Sequence, residues 1–265
     1  MAEIRSALRQ HWPEYLIEGW ALGSFMVSAG IFTTLFEYPG SPLRHAFDNA
    51  DARRVMIGMA MGLTAIALIY SPWGQRSGAH MNPAVTLTFL RLKKIARCDA
   101  AMYIAAQFIG GTLGVLLVMA VCQGAFTEAP VSYVITVPGP QGALLAFIAE
   151  FAISALLMAV VLLVSNSERY GKYTGLGAGL MVAVYIALEA PLSGMSMNPA
   201  RSFASAWPAE VWTGFWIYLT APVFGMQCAA AWYVRPRCGH EAGCAKLLHS
   251  KTQRCIHCGY VPPLP

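Results

Sequence analysis

Two groups of residues in this 265-residue chain carry types and spacings that could do chemistry. The first points to metal binding. Cys238, His240, Cys244, His249, Cys255, His257 and Cys258 crowd into the last stretch of the chain. Cys255 and Cys258 are separated by two residues and followed by Gly259, the pattern of a structural zinc knuckle with a tight turn. Cys244 and His249 would complete a tetrahedral site, and Cys238 in place of His249 would make it all-cysteine. If this segment faces a reducing compartment, clustered thiols argue for metal over disulfides. Cys98, Cys122 and Cys228 stand apart from the cluster and read as packing residues.

The second group is a motif that occurs twice. Ser77-Gly78-Ala79-His80-Met81-Asn82-Pro83-Ala84 returns as Ser193-Gly194-Met195-Ser196-Met197-Asn198-Pro199-Ala200, with six of eight positions identical. Asn is a strong N-cap, and Pro suits the first helical position because its missing N–H has no intrahelical partner there. Asn-Pro-Ala therefore starts a helix, twice, over about Asn82–Leu92 and Asn198–Ala206. Both segments are too short to span a bilayer. Arg201 follows the second motif directly, and an Arg in an apolar setting is costly enough to imply a function.

The elements that would position these residues are membrane helices. Hydrophobic residues make up 57% of the chain and charged residues 12%, about half the charge of a soluble domain. Six stretches lack Asp, Glu, Lys and Arg: Gly19–Phe36, Val55–Gln75, Ala100–Thr127, Phe151–Ser167, Tyr173–Leu188 and Val211–Val234. These are continuous runs near the 17–25 residues a spanning helix needs, not the alternating strands of a barrel. The expected fold is an all-α membrane protein of six transmembrane helices and two half-helices. Three spans per half invert the second half, so two half-helices meet start to start near the midplane. Irregular backbone at that depth survives only around a cavity or water path.

Charge placement orients the chain. With both termini cytoplasmic, fourteen Lys and Arg fall on that side and four on the other, which the positive-inside rule favours. The basic balance is thus topological and gives no support to nucleic-acid binding. No short apolar segment with a cleavage site precedes the first run, so no removable signal peptide is expected. No nucleotide-binding glycine loop or nucleophile–base set is present, so an enzyme is not expected. The chain divides into residues 1–234, with halves at about 14–122 and 143–234, and a polar tail at 235–265.

The paired motifs, Arg201-Ser202, Ala106-Gln107-Phe108-Ile109-Gly110-Gly111 and the acidic residues Glu18 and Glu150 resemble the aquaporin, or major intrinsic protein, family over about residues 14–234. The resemblance implies a passive channel in the plasma or inner membrane, a homotetramer with one pore per subunit, and no cofactor for transport. It implies that Asn82 and Asn198 donate to a solute oxygen, with carbonyls of Gly78, Ala79, His80, Ser193, Gly194 and Met195 lining the path. It implies that Glu18 and Glu150 anchor the half-helix loops, where a proton relay is the other reading. His80 is a loop residue or a pH gate. Around Arg201 it places Met61 or Gly62, Ile186 and Met195 in the narrow filter. That set lacks the aromatic residue and histidine of the family's water-specific pattern, while Ser202 and Ala206 fit the water branch and the pair Tyr218–Leu219 is mixed. Water is the expected solute. A facilitator for glycerol, urea, ammonia or hydrogen peroxide is the alternative, and a non-conducting, metal-sensing membrane protein acting through its tail stands further off.

Overall fold

The structure, a computed structural model, describes residues 2–235, 241–250 and 252–262, with side chains from residue 7 onward. Cys238, His240, Arg237 and Lys251 lie outside the described residues. Long helices form where the charge-free runs lie: α1 (Ala2–Glu37), α2 (Ala50–Tyr70), α4 (Arg97–Cys122), α5 (Ala143–Ser165), α6 (Thr174–Leu188) and α8 (Phe215–Tyr233). Between them lie two half-helices, α3 (Pro83–Arg91) and α7 (Pro199–Ala209). The second half-helix runs three residues past its expected end, and Glu210 then closes it in a left-handed conformation.

Five of the long helices are apolar enough over sufficient length to cross a membrane. The sixth, α8, has 19 residues but carries Pro222 and Gln227, which dilute its apolar character. At 1.5 Å per residue it still reaches roughly 28 Å, close to the thickness of a hydrocarbon core. Trp212 and Trp216 mark one end of α8 and Trp232 the other, the amphipathic residues expected at the two interfaces. Leu63, Leu113, Leu156 and Leu180 point outward and are more than half exposed, as lipid-facing residues should be.

The packing follows the repeat. Helix α1 lies mainly against α4, its counterpart α5 lies against α8, and α2 packs on α6 across the halves. Small residues set how close these pairs come, because side-chain packing drives helix association in lipid. At Gly110 an added Cβ would fall 2.0 Å from the carbonyl oxygen of Gly19. Gly62 and Gly179 do the same for α2 and α6, each Cβ falling 2.6 Å from the other residue's carbonyl oxygen.

Candidate functional site

The half-helices start as the sequence predicts, and their caps are made by the motif residues. Asn82 Oδ1 accepts from the Ala84 N–H at 2.8 Å, and Asn198 Oδ1 accepts from Ala200 at 3.0 Å and Arg201 at 3.2 Å. The amide nitrogens point the other way. Asn82 Nδ2 donates to the Met197 carbonyl and Asn198 Nδ2 to the Met81 carbonyl, both at 2.7 Å. Each loop is thereby tied to the opposite half. Both asparagines line one cavity of about 360 Å³, and each half-helix turns the positive end of its dipole toward it.

The loops ahead of the caps need external support. Gly78, Ala79 and Met81 adopt left-handed backbone in the first, and Gly194, Met195 and Met197 in the second. Four of these six residues carry a Cβ, so the conformation is costly and must be held by its surroundings. Buried Glu18 holds the first loop. Its Oε1 accepts from Ser77 Oγ and the His80 N–H, and its Oε2 from the Met81 N–H and Gln107 Nε2. Buried Glu150 repeats the pattern with Ser193 Oγ, Ser196 N–H and Met197 N–H. Beside these, His80 Nδ1 lies 3.0 Å from Thr86 Oγ1, and at the equivalent positions Ser196 Oγ lies 2.6 Å from Ser202 Oγ. Ser202 also meets Thr136.

Arg201 sits one turn into α7, 8% exposed, with Nη1 donating to the Val134 carbonyl at 2.8 Å. Met61, Ile186 and Met195 line the cavity with it, and Met61 and Met195 pack in one apolar cluster that Ile186 borders. Gly62 does not line the cavity; it faces Gly179 and Ala183 on α6. At one end the cavity is bounded by Glu37, Ala50 and Arg54, and at the other by Leu247 from the tail. Of the carbonyls expected on the path, that of Gly78 accepts the Leu247 N–H and that of Ser193 accepts Tyr218 Oη. Leu219, next to Tyr218, is exposed on the outer face.

The tail brings the four expected ligands together. Cys244 Sγ, His249, Cys255 Sγ and Cys258 Sγ present ligand atoms all within 4.8 Å of one another. Cys244 and Cys255 sulfurs are 3.4 Å apart, and His249 Nε2 is 3.2 Å from Cys258 Sγ. A tetrahedral zinc with bonds of about 2.0–2.3 Å has ligand separations of about 3.3–3.8 Å; these two pairs lie close to that range, and three thiols with one imidazole are a zinc donor set. Gly259, with φ of 73°, makes the knuckle turn, and its N–H donates to the Cys255 carbonyl at 3.0 Å. The contact between the two sulfurs lowers the pKa of the Cys255 thiol and raises that of Cys244, so the pair holds one proton between them, and the Lys246 charge favours the thiolate at Cys255. A metal bound there would displace the shared proton, because it takes both sulfurs as thiolates.

Sequence reasoning missed how the tail is attached. Lys246 Nζ donates to the Gln75 and Arg254 carbonyls, and Arg254 pairs with buried Glu14 at 3.1 Å. His257 Nε2 lies 3.1 Å from the Ser77 carbonyl, and its ring stacks on His80 at 5.9 Å. A buried Glu14 four residues before Glu18 was the one available signal, since a carboxylate there needs a cation.

Comparison with known proteins returns one family. The profile of the major intrinsic protein family matches residues 16–233. A probable aquaporin of NIP type from Nicotiana alata is 36% identical over 181 residues, covering 67% of this chain and 64% of that protein. Aquaporin NIP2-3 from Zea mays is 34% identical over 222 residues, 81% of this chain and 70% of that protein. A putative aquaporin NIP4-1 from Arabidopsis thaliana is matched over only 58% of its length, so the chain spans about three fifths of some relatives. Among solved structures, an aquaglyceroporin from Plasmodium falciparum superimposes with a TM-score of 0.68 at 22% identity, covering 85% of this chain and 96% of that one.

Proposed function

Because the chain belongs to the major intrinsic protein family, we propose that it is a passive membrane channel for water and small neutral solutes. The observation that carries this reading is the reciprocal tie between Asn82 and Asn198 inside one cavity that also holds Arg201. An asparagine amide has two N–H donors. Each asparagine commits one to the opposite loop, which leaves the other for a solute oxygen. Donors fixed in this way orient a water so that it cannot relay a proton along a chain, while two half-helix dipoles and Arg201 repel cations. No covalent step is involved, and no cofactor serves transport.

The filter we assign is Arg201 with Met61, Ile186 and Met195, and Glu18 and Glu150 act as loop anchors. A second reading has a specific observation behind it. Three of the four filter side chains are apolar, two of them flexible methionines, which suits a broader facilitator for glycerol, urea, ammonia or hydrogen peroxide. Residues 1–234 would form the channel unit. Residues 235–265 would form a small module that binds zinc through Cys244, His249, Cys255 and Cys258. The distribution of Lys and Arg supports cytoplasmic termini in a plasma or inner membrane, and the family likeness supports a homotetramer.

Stopped-flow light scattering on proteoliposomes, with sucrose and glycerol gradients and with and without chelator, tests the reading. Fast shrinkage in sucrose without fast glycerol re-entry supports a water channel. Fast glycerol re-entry supports the facilitator. Permeability equal to bare liposomes under every condition would discard conduction and favour a metal-sensing protein that acts through its tail.

A further inference from the structure

We propose that the loop Ala245–Leu248 is a plug for the cytoplasmic mouth of the pore, and that a zinc ion bound by its flanking residues holds the plug in place. The proposal rests on the channel reading above. The ligands Cys244 and His249 bracket the loop on either side, while Cys255 and Cys258 hold the far face of the site. Leu247, 5% exposed, is packed with Ile69, Val85 and Ala178 and lines the same cavity as Asn82 and Arg201. Its N–H donates to the Gly78 carbonyl at 3.1 Å, and the Ala245 carbonyl accepts from His80 Nε2. Two polar groups at the pore mouth are therefore satisfied by the tail where a permeating water would otherwise bind.

A four-residue loop loses much conformational freedom when it is fixed in one shape, and a few hydrogen bonds offset that only in part. A metal that joins both of its ends to a knuckle removes most of the freedom beforehand. Without the metal the loop can leave, because its two ends are no longer held together. Arg254 on Glu14 and Gln10 then keeps the tail beside the mouth, ready to return. The site so described is a ligand-operated closure, with a soft divalent cation of the zinc type as the ligand.

The test uses the full chain, purified without a metal-affinity step and reconstituted in liposomes. Zinc per chain is measured by elemental analysis, and water permeability is measured zinc-loaded, after a membrane-permeant chelator, and after zinc is restored. The expected result is about one zinc per chain. Permeability should stay near that of bare liposomes when loaded and rise by at least ~10-fold on chelation, the ratio between a mostly closed and a mostly open population. Leu247→Gly should still bind zinc yet conduct in both states. Chain that takes up no zinc would overturn the metal-held plug. Permeability equally high with and without zinc would overturn the plug and leave the channel standing. Permeability at the bare-liposome level in every state, Leu247→Gly included, would instead overturn the channel reading itself.

Discussion

Asn82 and Asn198 hold each other's loops in register: each amide donates at 2.7 Å to the carbonyl that directly precedes the other asparagine. Each side chain also caps its own half-helix. Asn82→Ala or Asn198→Ala therefore removes a cap, worth about 1 kcal/mol. It also strips a buried carbonyl of its partner, at about 1–3 kcal/mol. Thermal unfolding of the detergent-solubilised variants should show both losses. The two single variants should be alike in size, and the double variant should cost less than their sum because the two ties share one interface. Full additivity would mean the ties are independent.

The acidic residues admit a sharper test. Glu18 accepts four hydrogen bonds and Glu150 three, all from donors. A glutamine at either position must turn its NH2 group toward a donor, leaving at least one backbone N–H unsatisfied beside residues in left-handed backbone. Glu18→Gln and Glu150→Gln should each cost about 1–3 kcal/mol per unsatisfied group. The loss should appear as reduced yield and a lower unfolding temperature. A variant that folds normally and loses only a pH dependence of transport would restore the proton-relay reading.

Much of this arrangement is legible in the sequence because the motif is repeated. One Asn-Pro-Ala fixes only a helix start, but two at matching places in inverted halves require the starts to face each other. Of the second-span pair, Met61 lines the cavity, while Gly62 is taken up by the close approach of α2 to α6. Spacing alone could not decide between neighbours on a helix of unknown rotation. Apart from the Arg254–Glu14 ion pair, the attachment of the tail was not legible, because it ends on backbone groups that every residue carries. Nothing in the sequence marks the Gly78 and Ala245 carbonyls as partners of Leu247 and His80. The cysteine spacing predicts a site, yet it carries no information about where the loop between the ligands would lie.

The apolar filter proposed above predicts a change of solute preference when its residues are replaced. Replacing Met61 by Phe and Ile186 by His puts a rigid ring and a polar ring into the cavity that Arg201 lines, where two aliphatic side chains now stand. Glycerol entry into chelated proteoliposomes should fall more steeply than water permeability, since a narrower path excludes the wider solute first. Arg201→Val should act in the opposite sense and admit larger or charged species, read as a proton or ion leak. An unchanged solute profile in Arg201→Val would remove that residue from the filter.

Helix packing supplies a pair of variants that differ only in room. Gly110→Ala would set its methyl 2.0 Å from the Gly19 carbonyl oxygen, so α1 and α4 must separate. Overpacking of this kind costs about 1–3 kcal/mol, and more where the obstacle is backbone on a rigid helix. Gly177 on α6 is the counterpart: an added methyl meets only Val160 Cγ1, at 3.6 Å, which is ordinary contact. There the change should be neutral or slightly stabilising, because alanine is the better helix former by about 1 kcal/mol. Unfolding of both variants in detergent should therefore separate them in sign, Gly110→Ala below the parent and Gly177→Ala at or above it. Equal unfolding temperatures would mean that α1 and α4 can part without loss, so that their close contact adds nothing to the stability of the first half.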